Sequence, residues 1–407
     1  MTPSLQFMLA LAIIIGAAKL GGLTSQRLHQ PAVLGELLVG LILGPTILNI
    51  FHWPLFPDEH LSESVQHLAE VGVILLMFYA GLEIHLEDML RSGRVALLAG
   101  VLGVIAPLVL GALVALPFGY VPVKALFIGI ILTATSVSIS AQTLMELGVL
   151  RRPPGLALLG AAVIDDVLVI LLLSLFVAIV SGGGGGIAGL GLVFLRMVVY
   201  LLGASLVGIW VLPRLTDWVN RMPITEGLVS LVVIVALIFA VTAEVVGGVA
   251  AITGAFIAGV IFGRTSLKRE VEDRVRVVAY GFFVPIFFVS IGLLANARLL
   301  SPQVLPFVVL ICLIAIISKI IGSGAGAFLG GFSPRQSLQV GAGMVSRGEV
   351  GLIVAAIGIE NGLIGDEVFA IAVVVVLVTT LVTPLLLRWL FRGDETIEQA
   401  ELRQVGA

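Results

Sequence analysis

The chain has 407 residues, 59% of them hydrophobic and only 12% charged, with a formal net charge of −3. A water-soluble domain carries about twice that share of charge. The composition therefore excludes an ordinary soluble enzyme and points to a bilayer, where every face of a helix can be apolar. The small net charge gives no basis for a nucleic-acid partner. The single Cys312 excludes an internal disulfide, and His29, His52, His60, His67 and His85 lack metal-ligand spacing, so no metal site is assigned to them.

Apolar windows of about twenty residues predict thirteen spans, at 4–24, 31–50, 63–84, 94–117, 123–147, 155–180, 187–213, 224–244, 247–263, 276–295, 303–330, 336–360 and 367–391. The first has no basic lead-in and carries Lys19 inside it, which fits a retained helix rather than a cleaved signal. The eighth and ninth part at Glu244 and the Gly247–Gly248 pair. With the N-terminus outside, 16 of the 22 Lys and Arg residues fall on inside loops or ends, and only Lys124 and Arg298 fall outside. The positive-inside rule expects this asymmetry, and it puts the C-terminus in the cytoplasm.

The second span carries Gly35, Gly40 and Gly44 followed by Thr46, and the ninth carries Gly254, Gly259 and Gly263 followed by Thr265, each displaced by 219 residues. Small-residue packing between membrane helices accounts for such glycines singly, whereas a constant offset points to an internal repeat. Ala80-Gly81-Leu82 in the third span and Ile291-Gly292-Leu293 in the tenth are a weaker echo in the same order. The expectation is that spans 1–6 recur as 8–13 with inverted topology, the seventh bridging them, and Gly182 to Gly186 acting as a flexible tether. Inverted repeats characterise secondary transporters, whose sites lie near the midplane where the repeats meet.

Charges at bilayer depth cost on the order of 3 kcal/mol each, so they mark the candidate site. The fifth span has the hydroxyl-rich centre Thr133-Ala134-Thr135-Ser136-Val137-Ser138, suited to supplying ligands. The sixth holds Asp165 and Asp166 near its middle. Neighbours on a helix point about 100° apart, so the two acids serve different directions; the plainer alternative is a neutral hydrogen-bonded pair. Lys319, in the middle of the eleventh span, is too far from an end to snorkel and is read as salt-bridged to one aspartate. Lys19 and Glu36 lie nearer span ends, where snorkelling accounts for them.

The twelfth span reads Gly341-Ala342-Gly343-Met344-Val345-Ser346-Arg347-Gly348-Glu349, which suits a broken helix at depth. Its counterpart under the repeat is the fifth span. Two broken helices that meet bring their end dipoles together, and Arg347 and Glu349 are placed to neutralise them; a local Arg–Glu pair at an interface is the alternative. Asp165, Asp166 and Glu349 against Lys319 and Arg347 leave one surplus negative charge at depth, a place for one cation or one proton. Competition for that carboxylate, carried across by rocking one bundle against the other, is exchange in outline.

Ala134-Thr135-Ser136-Val137-Ser138, Gly160-Ala161-Ala162-Val163-Ile164-Asp165-Asp166, Lys319 and Arg347-Gly348-Glu349-Val350-Gly351-Leu352-Ile353 together resemble the second cation:proton antiporter superfamily, and within it the NapA-type bacterial Na+/H+ antiporters. The resemblance covers essentially all thirteen spans. It implies an all-α polytopic NhaA-like fold with two discontinuous crossing helices. It also implies a homodimer in a bacterial inner membrane, with core helices at about 63–180 and 276–391, a dimerisation side at about 4–50 and 187–263, and a short cytoplasmic tail at 393–407. In that pattern Asp166 carries the cation or proton, and Asp165 pairs with Lys319 and releases it when sodium binds. Thr135 and Ser136 then lie at the first crossover, and Glu349 and Arg347 at the second.

The paired aspartates with Lys319 resemble the electrogenic branch, with Na+, K+ or Li+ and H+ as transported ions and no cofactor. A K+/H+ antiporter on the same scaffold stays open. A cation-coupled symporter of an organic solute needs a further polar or aromatic cavity, and the 28 aromatic residues form no mid-span cluster. A channel needs a continuous polar lining. No nucleophile–base pair, metal set or phosphate loop suggests an enzyme.

Overall fold

The computed structural model describes residues 1–84, 92–180, 186–223, 225–265, 267–294, 298, 300 and 302–392. At positions 178, 179, 186–188, 190, 349 and 360 it describes the backbone alone. His85, Arg91, position 181, positions 182–185 of the expected tether and the tail at 393–407 lie outside the described residues.

Among the described residues, the regular structure is entirely helical. In chain order the α-helices are α1 (Pro3–Arg27), α2 (Ala32–Leu43), α3 (Leu61–Leu82), α4 (Gly93–Ala115), α5 (Pro122–Thr133), α6 (Val137–Glu146), α7 (Pro153–Val180) and α8 (Gly186–Asn220). They continue with α9 (Gly227–Thr242), α10 (Ala251–Phe262), α11 (Lys268–Val278), α12 (Val284–Leu293), α13 (Leu305–Leu329), α14 (Pro334–Gly343), α15 (Glu349–Glu360) and α16 (Asp366–Leu390). Among the described residues, ten stretches are long and apolar enough to cross a membrane, α5 with α6 and α11 with α12 each counting as one. Three shorter apolar helices, Ala32–Leu43, Ala251–Phe262 and Val350–Ile359, fall in the second, ninth and twelfth predicted spans.

Both expected breaks are present. Between α5 and α6 the chain leaves helical geometry at Ala134 (ψ 137°) and runs extended through Ser136 (φ −98°, ψ 107°). Neighbouring Ser and Thr hydroxyls offer the backbone alternatives to the helical ladder, and a β-branched Thr restricts its rotamers. Between α14 and α15, Met344 to Gly348 are non-helical. α14 starts on a capping box: Gln336 N–H donates to Ser333 Oγ (3.3 Å), and Ser333 N–H donates to Gln336 Oε1 (3.1 Å).

α9 ends in a π-turn, Ala243–Gly247, after which Gly248 turns the chain at φ +67° and α10 begins. The predicted split at Glu244 and Gly247–Gly248 therefore falls where the helix ends. A π-turn leaves carbonyls without the usual i→i−4 donor, and two cations within the predicted spans serve such carbonyls. Arg196 donates to Val246 O (2.6 Å) and Val245 O (2.5 Å), and Lys19 donates to Tyr280 O (2.8 Å) in the second π-turn, Ala279–Phe283.

The repeated glycines sit where helices from different halves of the chain touch. A Cβ on Gly40 of α2 would lie 2.2 Å from Val289 O and 3.0 Å from Gly292 Cα of α12. A Cβ on Gly259 of α10 would lie 2.0 Å from Phe78 O and 3.1 Å from Gly81 Cα of α3. The packing is reciprocal: the second span of each half meets the third span of the other. At the near ends of these helices, Glu146 at the C-terminus of α6 accepts from Ala32 N (2.5 Å) and Val33 N (3.2 Å), capping α2.

Candidate functional site

The two breaks cross and are stitched together. Ser136 N–H donates to Ser346 O (2.8 Å), and Ser346 Oγ donates back to Ser136 O (2.5 Å). Ser140 Oγ lies 3.1 Å from Ser346 Oγ and donates to Gly343 O (2.5 Å). A Cβ on Gly348 would lie 2.6 Å from Ser136 Oγ, so the crossing is this close because position 348 has no side chain. Backbone that leaves a helix at depth must find partners within the protein. Here each linker is the other's partner.

The C-terminal ends of α5 and α14 both point into this crossing, bringing two partial negative charges together. Arg347, 1% exposed, answers them: its guanidinium donates to Leu132 O at the end of α5 (2.8 Å) and to Val345 O just after α14. Its own backbone is held by α16, where Thr379 Oγ1 accepts from Arg347 N (3.2 Å) and Thr380 Oγ1 donates to Arg347 O (2.7 Å). Arg347 thus acts by capping helix ends. The backbone of Glu349 begins α15, but its side chain lies outside the described residues.

α7 passes beside the crossing with both aspartates buried, Asp165 fully and Asp166 with 4% exposure. Their separation around the helix gives them different partners. Asp165 Oδ1 accepts from Lys319 Nζ at 2.7 Å, and that ammonium is also fully buried. Lys319 reaches this position because α13 lies directly on α4. Added Cβ atoms on Gly322 and Gly326 would meet Leu102 O at 2.4 Å and Leu98 O at 2.2 Å, and one on Gly103 would lie 3.8 Å from Lys319 Nζ. Thr135 Oγ1 and Asp165 Oδ2 are both buried and lie close enough for Thr135 to act on Asp165, though outside ideal hydrogen-bond geometry.

Asp166 faces the other way. Thr253 Oγ1, on α10, donates to Asp166 Oδ2 at 3.0 Å. The two line a small cavity with Met77, Val137, Leu159, Ile252 and Phe256. It offers about 10 Å3 to a water-sized sphere, the lower bound for one water, so in this conformation it fits a water or a small ion and no organic solute.

The structure therefore brings Asp165, Asp166, Thr135, Ser136, Lys319 and Arg347 into one neighbourhood, whereas Glu36 lies apart on α2 beside Gly22. Sequence reasoning missed Thr253, Thr379, Thr380 and Gly103. The adjacent Thr379 and Thr380 inside an apolar span were the one available signal; Thr253 gave none beyond being polar.

The family model described as "Sodium/hydrogen exchanger, transmembrane" matches residues 10–393. The chain belongs to this family. The exchanger is 40% identical over 395 residues to the Na(+)/H(+)-K(+) antiporter GerN of Bacillus cereus, covering 97% of this chain and 99% of that protein. It is 36% identical over 385 residues to an Na(+)/H(+) antiporter of Enterococcus hirae, covering 95% and 98%. Among solved structures it is similar to the sodium proton antiporter MjNhaP1 of Methanocaldococcus jannaschii at pH 8, with a TM-score of 0.64, 17% identity and coverage of 98% and 99%. At that identity the likeness speaks for the exchanger's fold alone.

Proposed function

We propose that this chain is a secondary active monovalent cation:proton antiporter that exchanges Na+ for H+ electrogenically by alternating access. The observation that carries the reading is the buried Lys319–Asp165 pair set next to Asp166 at the crossing of two broken helices. Asp166 is the carrier, holding either a proton or a cation. Asp165 is the switch: cation binding draws its carboxylate from Lys319, whose ammonium then becomes free to lose a proton. Thr135 and Ser136 supply oxygen ligands at the first break, and Arg347 and Glu349 balance the helix ends. The names of the relatives support the Na+/H+ reading, and GerN's name gives K+ as the second candidate ion. The small cavity at Asp166 supports an ion over an organic solute as cargo.

The architecture that goes with this reading has thirteen spans in an NhaA-like inverted repeat, supported by the reciprocal packing of Gly40 on Gly292 and Gly259 on Gly81. The mobile core comprises about 63–180 and 276–391, and the dimerisation side about 4–50 and 187–263. Leu192, Leu195, Val199, Leu202, Leu206 and Trp210 give α8 an exposed apolar face, available to lipid or to the partner of a homodimer. The distribution of Lys and Arg supports an outside N-terminus and a cytoplasmic C-terminus in a bacterial inner membrane.

The test is reconstitution into liposomes holding a pH-sensitive dye, with Na+, K+ or Li+ added outside. Wild type is expected to move protons in response to at least one of these cations, faster when a membrane potential drives net charge movement. Asp166→Asn is expected to be inactive; full activity in that variant would overturn the reading.

A further inference from the structure

Thr253 differs from most of the buried threonines described, as does Thr380, whose hydroxyl donates to Arg347 O. The hydroxyls of Thr133, Thr143, Thr216, Thr265 and Thr383 all donate to a carbonyl three or four residues back in their own chain segment. That arrangement satisfies the side chain locally. Thr253 is the third residue of α10, and Ala250 O, three residues back, already accepts from its backbone N–H at 3.0 Å. Its hydroxyl crosses to α7 instead and donates to Asp166 Oδ2 at 3.0 Å. Donor and acceptor are both buried, with 3% and 4% exposure, and both line the cavity at Asp166.

From this geometry we propose that Thr253 is a positioning residue that sets the competition between proton and cation at Asp166. The inference rests on the antiporter reading above. A hydroxyl aimed at a carboxylate oxygen forms a charge-assisted bond with the ionised acid and a weaker one with the protonated acid. The bond therefore favours the form of Asp166 that accepts a cation, and it does so from α10, across the boundary between the proposed dimerisation side and the core. The charged side chains described in this neighbourhood are Asp165 on α7 and Lys319 on α13, with Arg347, between α14 and α15, acting on both of them. From α8, Arg196 is tied to the carbonyls of Val245 and Val246. α3, α6 and α10 face the carboxylate with Met77, Val137, Ile252, Thr253 and Phe256. Replacing Thr253 leaves all of the charged groups in place.

The experiment compares wild type, Thr253→Val, Thr253→Ser and Asp166→Asn in the liposome assay across a pH series. Thr253→Val keeps the shape and removes the hydroxyl. Its half-activation pH is expected to rise by about one unit, the effect of a tenfold change in proton affinity. Its KM for the cation is expected to rise about tenfold on the acidic side and to converge on wild type at alkaline pH, with kcat little changed. Thr253→Ser restores the hydroxyl and is expected to match wild type. An unchanged half-activation pH in Thr253→Val overturns the proposal, and so does a KM raised equally at every pH, which indicates direct ligation of the cation. If Thr253→Val does not fold, Thr253→Ala is read against Thr253→Ser by the same criteria. A wild type that exchanges no cation for protons, or an active Asp166→Asn, sinks the antiporter reading itself and is visible before any Thr253 variant is compared.

Discussion

Replacing Lys319 with Gln tests the physics of the buried pair directly. The ammonium and the Asp165 carboxylate are both fully buried and 2.7 Å apart. Removing one partner of such a pair costs about 3–5 kcal/mol, because the other charge stays behind in a poor solvent. The folded variant has one escape, which is to take up a proton on Asp165. Holding a carboxyl protonated costs about 1.4 kcal/mol for each pH unit above its ordinary value, so the penalty is capped near 4 kcal/mol at pH 7 and near 1.5 kcal/mol at pH 5. The sign follows from linkage: the folded variant binds a proton that the unfolded chain has released, so its stability falls as pH rises. Lys319→Gln should therefore melt well below wild type at neutral pH and only slightly below it near pH 5. Lys319→Gln combined with Asp165→Asn removes both charges, and it should recover most of the loss at neutral pH. The assay is thermal unfolding of the purified protein in detergent at both pH values. Equal destabilisation of the single and double variants at both would refute the reasoning and leave Lys319 as a packing residue.

Two further predictions concern the ends of the spans. Glu146→Ala removes the acceptor for two backbone N–H groups at the start of α2 and is expected to cost about 0.5–2 kcal/mol, as for the loss of a helix cap; a melting temperature equal to wild type would show that solvent replaces the cap. Burial pushes the Glu83 carboxyl, just past the end of α3, above the usual carboxylate range, with Arg151 pulling it back and Glu272 pushing it further. An acid raised on folding contributes stability at low pH that is lost as pH rises through its folded value. Glu83→Gln should flatten that decline in a series of melting curves from acid to alkaline pH, and an unchanged slope would assign the decline to other groups.

Ten of the thirteen apolar windows coincide with helices long and apolar enough to cross a membrane, because the bilayer imposes a length and a polarity that each such segment must meet on its own. For the same reason the costly residues stood out. A Lys or an Asp pair in the middle of a span has no local excuse, so Asp165, Asp166, Lys319 and Arg347 were singled out before any helix was placed, and the fold brings them together. The broken centres at Thr133 to Ser138 and Gly341 to Gly348 were legible too, since hydroxyl and glycine clusters weaken a helix locally. Pairing was legible only in part. The resemblance implied that Asp165 meets Lys319, and the break in the twelfth span placed Arg347 to neutralise helix ends, but that Arg347 reaches α5 at Leu132 O and that Thr253 reaches Asp166 depend on which helices lie side by side. A threonine in an apolar span gives no local sign, because its hydroxyl is usually satisfied within its own helix. Only the fold, which brings Thr253 of α10 within reach of Asp166 on α7, decides that this one is not.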